Sequence, residues 1–312
     1  MQTVKKIEYE LIVFIFLMVK LIFINEVWPL SLLILTSLLF FAFFSFACGK
    51  LVKLTKGEES KVMTSLVVLF LCSAVPNMVF FPGNFNYPFV AYKNFLFVTC
   101  IVLSVFFLDG KESKWRIPFL CLLCAVVDPL FALLFFPTIA LILFYRLNSA
   151  KDYLNILISS LVALALGFTI SFLLGHTAWN LARADWLGLL ANAVRVLPLI
   201  VFFVFVWTKA LQKSQNRHLK FVIILTIFAS LFPLSTLFLQ NNHTNPLMVA
   251  VFSQFVVLVT LLLKDEEFAS VFFESASFLR EKPLQFFLTL IYLSAFSIHQ
   301  FNRTIQHWFF TS

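Results

Sequence analysis

Tyr153–Leu174 reads YLNILISSLVALALGFTISFLL, without one charged side chain. As a helix rising 1.5 Å per residue it is about 33 Å long, enough to cross a hydrocarbon core of roughly 30 Å. Lys151 and Asp152 precede it and His176 follows it, so its polar flanks fall at headgroup depth. Working outward, similar apolar runs recur at 11–25, 29–48, 62–81, 89–108, 186–208, 221–239, 247–263 and 284–299, with a broken one at 117–146. The expectation is an all-α helical bundle of about 10–11 membrane segments, a single transmembrane domain over residues 1–312. Composition agrees: 61% of residues are hydrophobic and 12% charged, where a soluble domain carries roughly 25% charged residues. The hydrophilic stretches Lys209–Lys220 and Lys264–Lys282 are expected to be loops.

The run Leu11–Ile24 behind Lys5 and Lys6 has the outline of a secretory signal. Its exit, Asn25-Glu26-Val27-Trp28-Pro29, holds no small-residue cleavage site, so it reads as an uncleaved first span. With the N-terminus in the cytoplasm, the 23 basic residues fall in cytoplasmic loops except Lys20, Lys93, Arg183, Arg195 and Arg303. That skew follows the positive-inside rule and places the C-terminus outside. It also accounts for the net charge of +8. Nucleic acid binding is not implied, although the inner cations favour anionic membrane lipids.

Arg116 and Arg146 must then lie on the same side, so 117–146 goes in and returns, turning near Asp128-Pro129. Ile117–Val127 as a helix is about 16 Å long, too short for an upright span. A re-entrant hairpin and two short helices around a protein-lined cavity both fit, because irregular backbone at that depth needs protein or water around it.

The unusual polar residues gather towards the outer face. Of the 15 carboxylates only Glu26, Asp128 and Asp185 lie away from the cytoplasmic loops. His176, His243, His299 and His307 lie there too, with Lys93, Arg183 and Arg303. Asp128 interrupts an apolar run, and two compatible roles fit it. Before Pro129 it is a good helix cap, and an ionisable group at that depth is also a functional candidate. Arg195, near the middle of the span 186–208, needs an acid or a wet cavity. It suits either an ion pair with Asp128 or Asp185, or a phosphate, which a guanidinium grips with two parallel hydrogen bonds. Lys20 reads as snorkelling to the headgroups. The outer loop Pro82–Pro88 with Tyr87, then Lys93, mixes aromatics and amides that suit a sugar and equally an interfacial aromatic belt.

The cysteines, Cys48, Cys72, Cys100, Cys121 and Cys124, all fall in apolar runs, where packing is the expected role. No metal site, cofactor, phosphate-binding glycine loop or protease motif is expected.

Leu120–Arg146 (LCLLCAVVDPLFALLFFPTIALILFYR) resembles the central segment of bacterial surface-polysaccharide membrane proteins, grouped with O-antigen-polymerase-like and GT-C-like glycosyltransferases. Asp128-Pro129 stands where that group has a His-Glu pair, while Pro137 and Arg146 fit its pattern. A second stretch, Phe232-Pro233-Leu234 through Ser253-Gln254-Phe255 to Lys264-Asp265, is similar in outline. Asn242-His243-Thr244-Asn245-Pro246 replaces the acid-and-arginine motif between those flanks. The resemblance implies a protein of bacterial plasma membrane glycan assembly, transferring or polymerising a polyprenyl-linked sugar at the extracytoplasmic leaflet. On that reading Asp128, with Glu26 or Asp185 as alternatives, is the general base, assisted by His243 or His176. Arg195, Arg183 and Arg303 would hold the carrier phosphate, with Lys93 and Tyr87 as further substrate contacts. A non-enzymatic carrier of a lipid-linked or anionic substrate and an inactive scaffold subunit are the alternatives.

Overall fold

The computed structural model describes residues 57–76, 116–127, 129–146, 149–173, 186–214, 216–238, 246–262 and 265–310, with scattered positions from Leu38 to Thr55. Among the described residues the secondary structure is helical, with no strand. The helices are α1 (Gly57–Leu71), α2 (Arg116–Val127), α3 (Pro129–Arg146), α4 (Ala150–Leu173), α5 (Trp186–Arg195) and α6 (Leu197–Lys213). They continue with α7 (Arg217–Leu231), running into a 3-10 turn at Phe232–Phe238, then α8 (Pro246–Leu262), α9 (Glu266–Ser275), α10 (Phe278–Glu281) and α11 (Pro283–Phe310).

By length and composition α4 is able to cross a membrane. Two bent pairs pass the same test together: Leu189–Arg195 with Leu197–Lys213, bent by 78°, and Leu247–Leu262 with Glu266–Glu281, bent by 119°. The first and fourth expected spans, 11–25 and 89–108, lie outside the described residues.

The break expected within 117–146 is present between α2 and α3, and position 128 itself lies outside the described residues. Both halves pack on α4 in a small core of Ile117, Cys121, Ala125, Ala132, Ile139, Leu143, Ile156 and Leu164. The buried stripe of α4 includes Ser160, Ala163, Gly167 and Ser171. Small residues let two backbones approach closely, as helices in lipid require. At Gly167 the approach is closest: a Cβ there would stand 2.6 Å from Ala125 Cβ and 2.7 Å from the Leu122 carbonyl oxygen. The rest of α4 faces outward, with Leu161, Val162, Leu166 and Ile170 exposed.

The main core is built around α8, which is buried on every side from Met248 to Leu262. A helix apolar all round belongs at the centre of a bundle. Phe252 and Phe255 meet Phe44 and Phe70 in an aromatic cluster, with Phe70 stacked on Phe255 at 3.9 Å.

Both stretches expected to be loops are largely helical. Lys209–Lys213 completes α6 and Arg217 opens α7. Within Lys264–Lys282, Asp265 accepts a hydrogen bond from the Phe268 N–H at 2.8 Å and caps α9. Phe268 and Phe272 of α9 are buried one turn apart, while Glu266 and Glu267 face out. That amphipathic spacing makes a short surface helix of a stretch that total polarity alone marks as a loop.

These charged stretches meet at one end of the molecule. Arg280 pairs with Glu58, which Lys61 also holds at 2.9 Å. Lys213 pairs with Glu274 at 2.6 Å, and Ser214 Oγ donates to Glu267 at 3.1 Å. Hydrogen bonds from Lys61 and Arg280 keep the Glu58 carboxyl below its ordinary pKa.

Candidate functional site

The run 186–208 is not one straight span. It breaks at Val196, and Pro198 is the cause. Proline has no N–H to give the Val194 carbonyl four residues back, and its ring crowds that position. The helix restarts from Val196, whose carbonyl accepts from Leu199 N–H at 2.9 Å and Ile200 N–H at 3.1 Å. The freed Val194 carbonyl accepts instead from the Tyr292 hydroxyl of α11, at 2.6 Å. A neighbouring helix thus satisfies the backbone group that the proline leaves open, which is the condition for a broken helix away from water.

Arg195 ends α5 at this break, half-buried, with Nη1 donating to Asn192 Oδ1 at 3.0 Å. A cation in the last turn of a helix is favoured by the carbonyls that point out of it. The expectation of an arginine in mid-span is therefore corrected: the chain bends beside it and places it at a helix end. The arrangement holds a planar, permanently charged donor group at a bend, a geometry suited to an anionic oxygen group.

Pro233 produces the same event elsewhere. It withdraws the N–H from the Ala229 carbonyl, and Thr138 Oγ1, next to Pro137 on α3, donates to that oxygen at 2.9 Å. The backbone beyond tightens into the 3-10 turn.

A second polar feature lies in the core. Trp207 Nε1–H donates to Gln254 Oε1 at 2.5 Å, and Gln254 Nε2–H donates to Ser230 Oγ at 2.6 Å. Ser230 in turn donates to the Thr226 carbonyl at 2.5 Å. The chain of bonds joins α6, α8 and α7, holds no titratable group and ends on the backbone, so it locks three helices rather than moving protons. The sequence signal for it was the lone amide, Gln254, in the apolar run of α8.

Of the residues proposed for catalysis or substrate binding, Arg195 is the one whose side chain is described; His299, on α11, is exposed. Arg303 lies on α11, with its backbone helical. Glu26, Tyr87, Lys93, Asp128, His176, Arg183, Asp185 and His243 lie outside the described residues. Cys48 and Cys121 are buried free thiols, in keeping with packing. Among the described residues no group of His, Cys, Asp and Glu is placed to hold a metal ion. No family model, curated protein or solved structure matches the chain.

Proposed function

We propose that the chain is a polytopic membrane protein of the bacterial plasma membrane. Its N-terminus is cytoplasmic and its C-terminus extracytoplasmic, and it acts on a polyprenyl-linked sugar in surface-glycan assembly. Support for the membrane comes from the outward faces of the bundle. Leu161 and Leu166 of α4, Val201 and Val204 of α6, Phe221 and Phe228 of α7, and Phe287 and Ile291 of α11 are all exposed. Apolar surface on this scale is rare on a soluble monomer. The orientation rests on the distribution of Lys and Arg. The meeting of Glu58–Lys61, Lys213–Ser214 and the α9–α10 segment at one end is what that orientation requires.

The observation that carries the substrate reading is Arg195 at the bend of an apolar span. From Lys213 to Leu197, where the bend begins, is about 24 Å along the α6 axis. With Lys213 at the cytoplasmic boundary, Arg195 stands near the opposite one, at the depth of an outer-leaflet phosphate. Helix α5, with Trp186, Leu187, Leu190 and Val194 exposed along one side, would lie in that interface. The resemblance around Asp128-Pro129 adds the sugar carrier, with Asp128 as the general base.

The test is Arg195→Gln and Arg195→Lys, each assayed for membrane level and for surface-glycan output in cells. Loss of output from Arg195→Gln at normal protein level, partly restored by Lys, is expected. Normal output from Arg195→Gln at normal level overturns the substrate reading. A carrier is the second reading, because broken helices recur at the substrate sites of transporters. Flipping of a polyprenyl-linked sugar in proteoliposomes, without transfer, would select it.

A further inference from the structure

A crevice of about 560 Å³ lies where α6 passes α1, α10 and α11, with Pro198 of the bend in its wall and Arg195 outside its lining. It falls within the range of about 300–1,000 Å³ that ligand sites occupy. Leu69, Leu199, Phe202 and Leu279 line it, and Phe205 and Phe278 meet edge to face at 5.8 Å across its wall. Such walls take hydrocarbon.

Three polar features qualify that reading. Lys282, exposed, lines the crevice at the start of α11. Lys209, one turn beyond the lining Phe205 on α6, holds its ammonium 5.9 Å from that ring's centroid. Neither is in an ion pair among the described residues, whereas Arg280 and Lys213 beside them are engaged by Glu58, Glu281 and Glu274. The third feature is Ser275 Oγ, a lining hydroxyl buried without a hydrogen-bond partner. A hydroxyl left this way is costly and calls for a partner.

We propose that the crevice binds one anionic glycerophospholipid of the leaflet on the Lys282 side. One acyl chain lies between α6 and α11, an ester carbonyl accepts from Ser275, and the phosphate rests on Lys209 and Lys282. The proposal rests on the reading that the chain spans a membrane. Charge complementarity decides among lipids: two cations without acidic partners select an anionic headgroup over a zwitterionic one, each lysine being worth about a factor of five near a surface.

The experiment is native mass spectrometry of the full chain in mild detergent, titrated with phosphatidylglycerol and, separately, phosphatidylcholine. Phosphatidylglycerol should bind at least tenfold more tightly. Lys209→Gln with Lys282→Gln should weaken it by about 30-fold and leave phosphatidylcholine unchanged. Thr289→Trp, which fills the crevice, should weaken both lipids. Equal binding of the two lipids overturns the proposal, as does unchanged phosphatidylglycerol binding in the lysine pair. Displacement of the lipid by millimolar inorganic phosphate would reveal a simple phosphate site and overturn it as well. Extraction with alkaline carbonate reads the membrane assignment separately. Release of the chain from membranes sinks that assignment, whereas retention with non-selective binding sinks the lipid site alone.

Discussion

Helices α4 and α8 are both predominantly apolar, yet their surroundings are opposite. About a third (33%) of the apolar window of α4 is buried, while α8 is enclosed from Met248 to Leu262. In lipid, hydrophobicity does not sort helices into core and rim, because the surroundings are as apolar as a leucine. Small residues and polar groups do the sorting. Helix α4 docks by its Ser160–Ala163–Gly167–Ser171 stripe, and its outward Ser159 and Thr169 bond back to their own helix, at 2.7 and 3.0 Å. Helix α8 carries an amide that must find partners, and Gln254 finds them on α6 and α7.

The sharpest way to break this comparison is at Gln254. Gln254→Ala strands the Trp207 indole N–H and opens a cavity, and should destabilise the protein by about 3 kcal/mol. Thr169→Ala on the outer face of α4 should stay within about 0.5 kcal/mol. Thermal unfolding in detergent reads both, and equal effects would erase the distinction between the two helices.

Next in size is Gly167→Ala. The added methyl meets backbone as well as the Ala125 side chain, so α2 and α4 must part, at about 1–3 kcal/mol. Unchanged stability would mean that the two helices do not approach as described.

The two proline breaks sharpen the comparison further, since each depends on a hydroxyl from another helix. Tyr292→Phe leaves the Val194 carbonyl unanswered and should cost about 1–2 kcal/mol. Thr138→Val does the same at Ala229, by a similar amount. The break at Pro198 stands beside Arg195, so Tyr292→Phe should also lower glycan output, while Thr138→Val should not. Equal output from the two variants would separate the Val194 bond from the site.

The smallest effect is at the charged end. Lys61 and Arg280 hold the Glu58 carboxyl below its ordinary value of 4.5, so its contribution is present above that pH. It fades as pH falls through the lowered value, because the unfolded chain then binds the proton first. The stability difference between the parent and Glu58→Gln should therefore shrink from pH 6 downward past about pH 4. A difference that grows on acidification would contradict the pairing.

Helical character, the long span at 150–173 and the break before Pro129 were legible in the residues, because each rests on local pattern. Proline at 198 and 233 also announces which carbonyls are freed, four residues back. Which hydroxyl answers them is a tertiary fact: Tyr292 and Thr138 lie about a hundred positions away in the chain and carry no local mark. The α9 helix was missed because its three glutamates and the charged residues on either side outweighed the Phe268–Phe272 spacing in a reading by total polarity. Arg195 was visible as a costly residue, but the 78° bend that changes its setting comes from the proline three residues on, at 198, whose effect on a span depends on neighbouring support.

The proposed orientation assigns each segment to one side of the membrane. Single cysteines at Ala182, Arg217 and Ser270 should be probed with a membrane-impermeant maleimide, scored above the labelling of the parent chain. In intact cells Ala182→Cys should label, while Arg217→Cys and Ser270→Cys should label only after the membrane is permeabilised. Labelling of Arg217→Cys or Ser270→Cys in intact cells would contradict the account, because the charged end built by α6, α9 and α10 would then not be cytoplasmic.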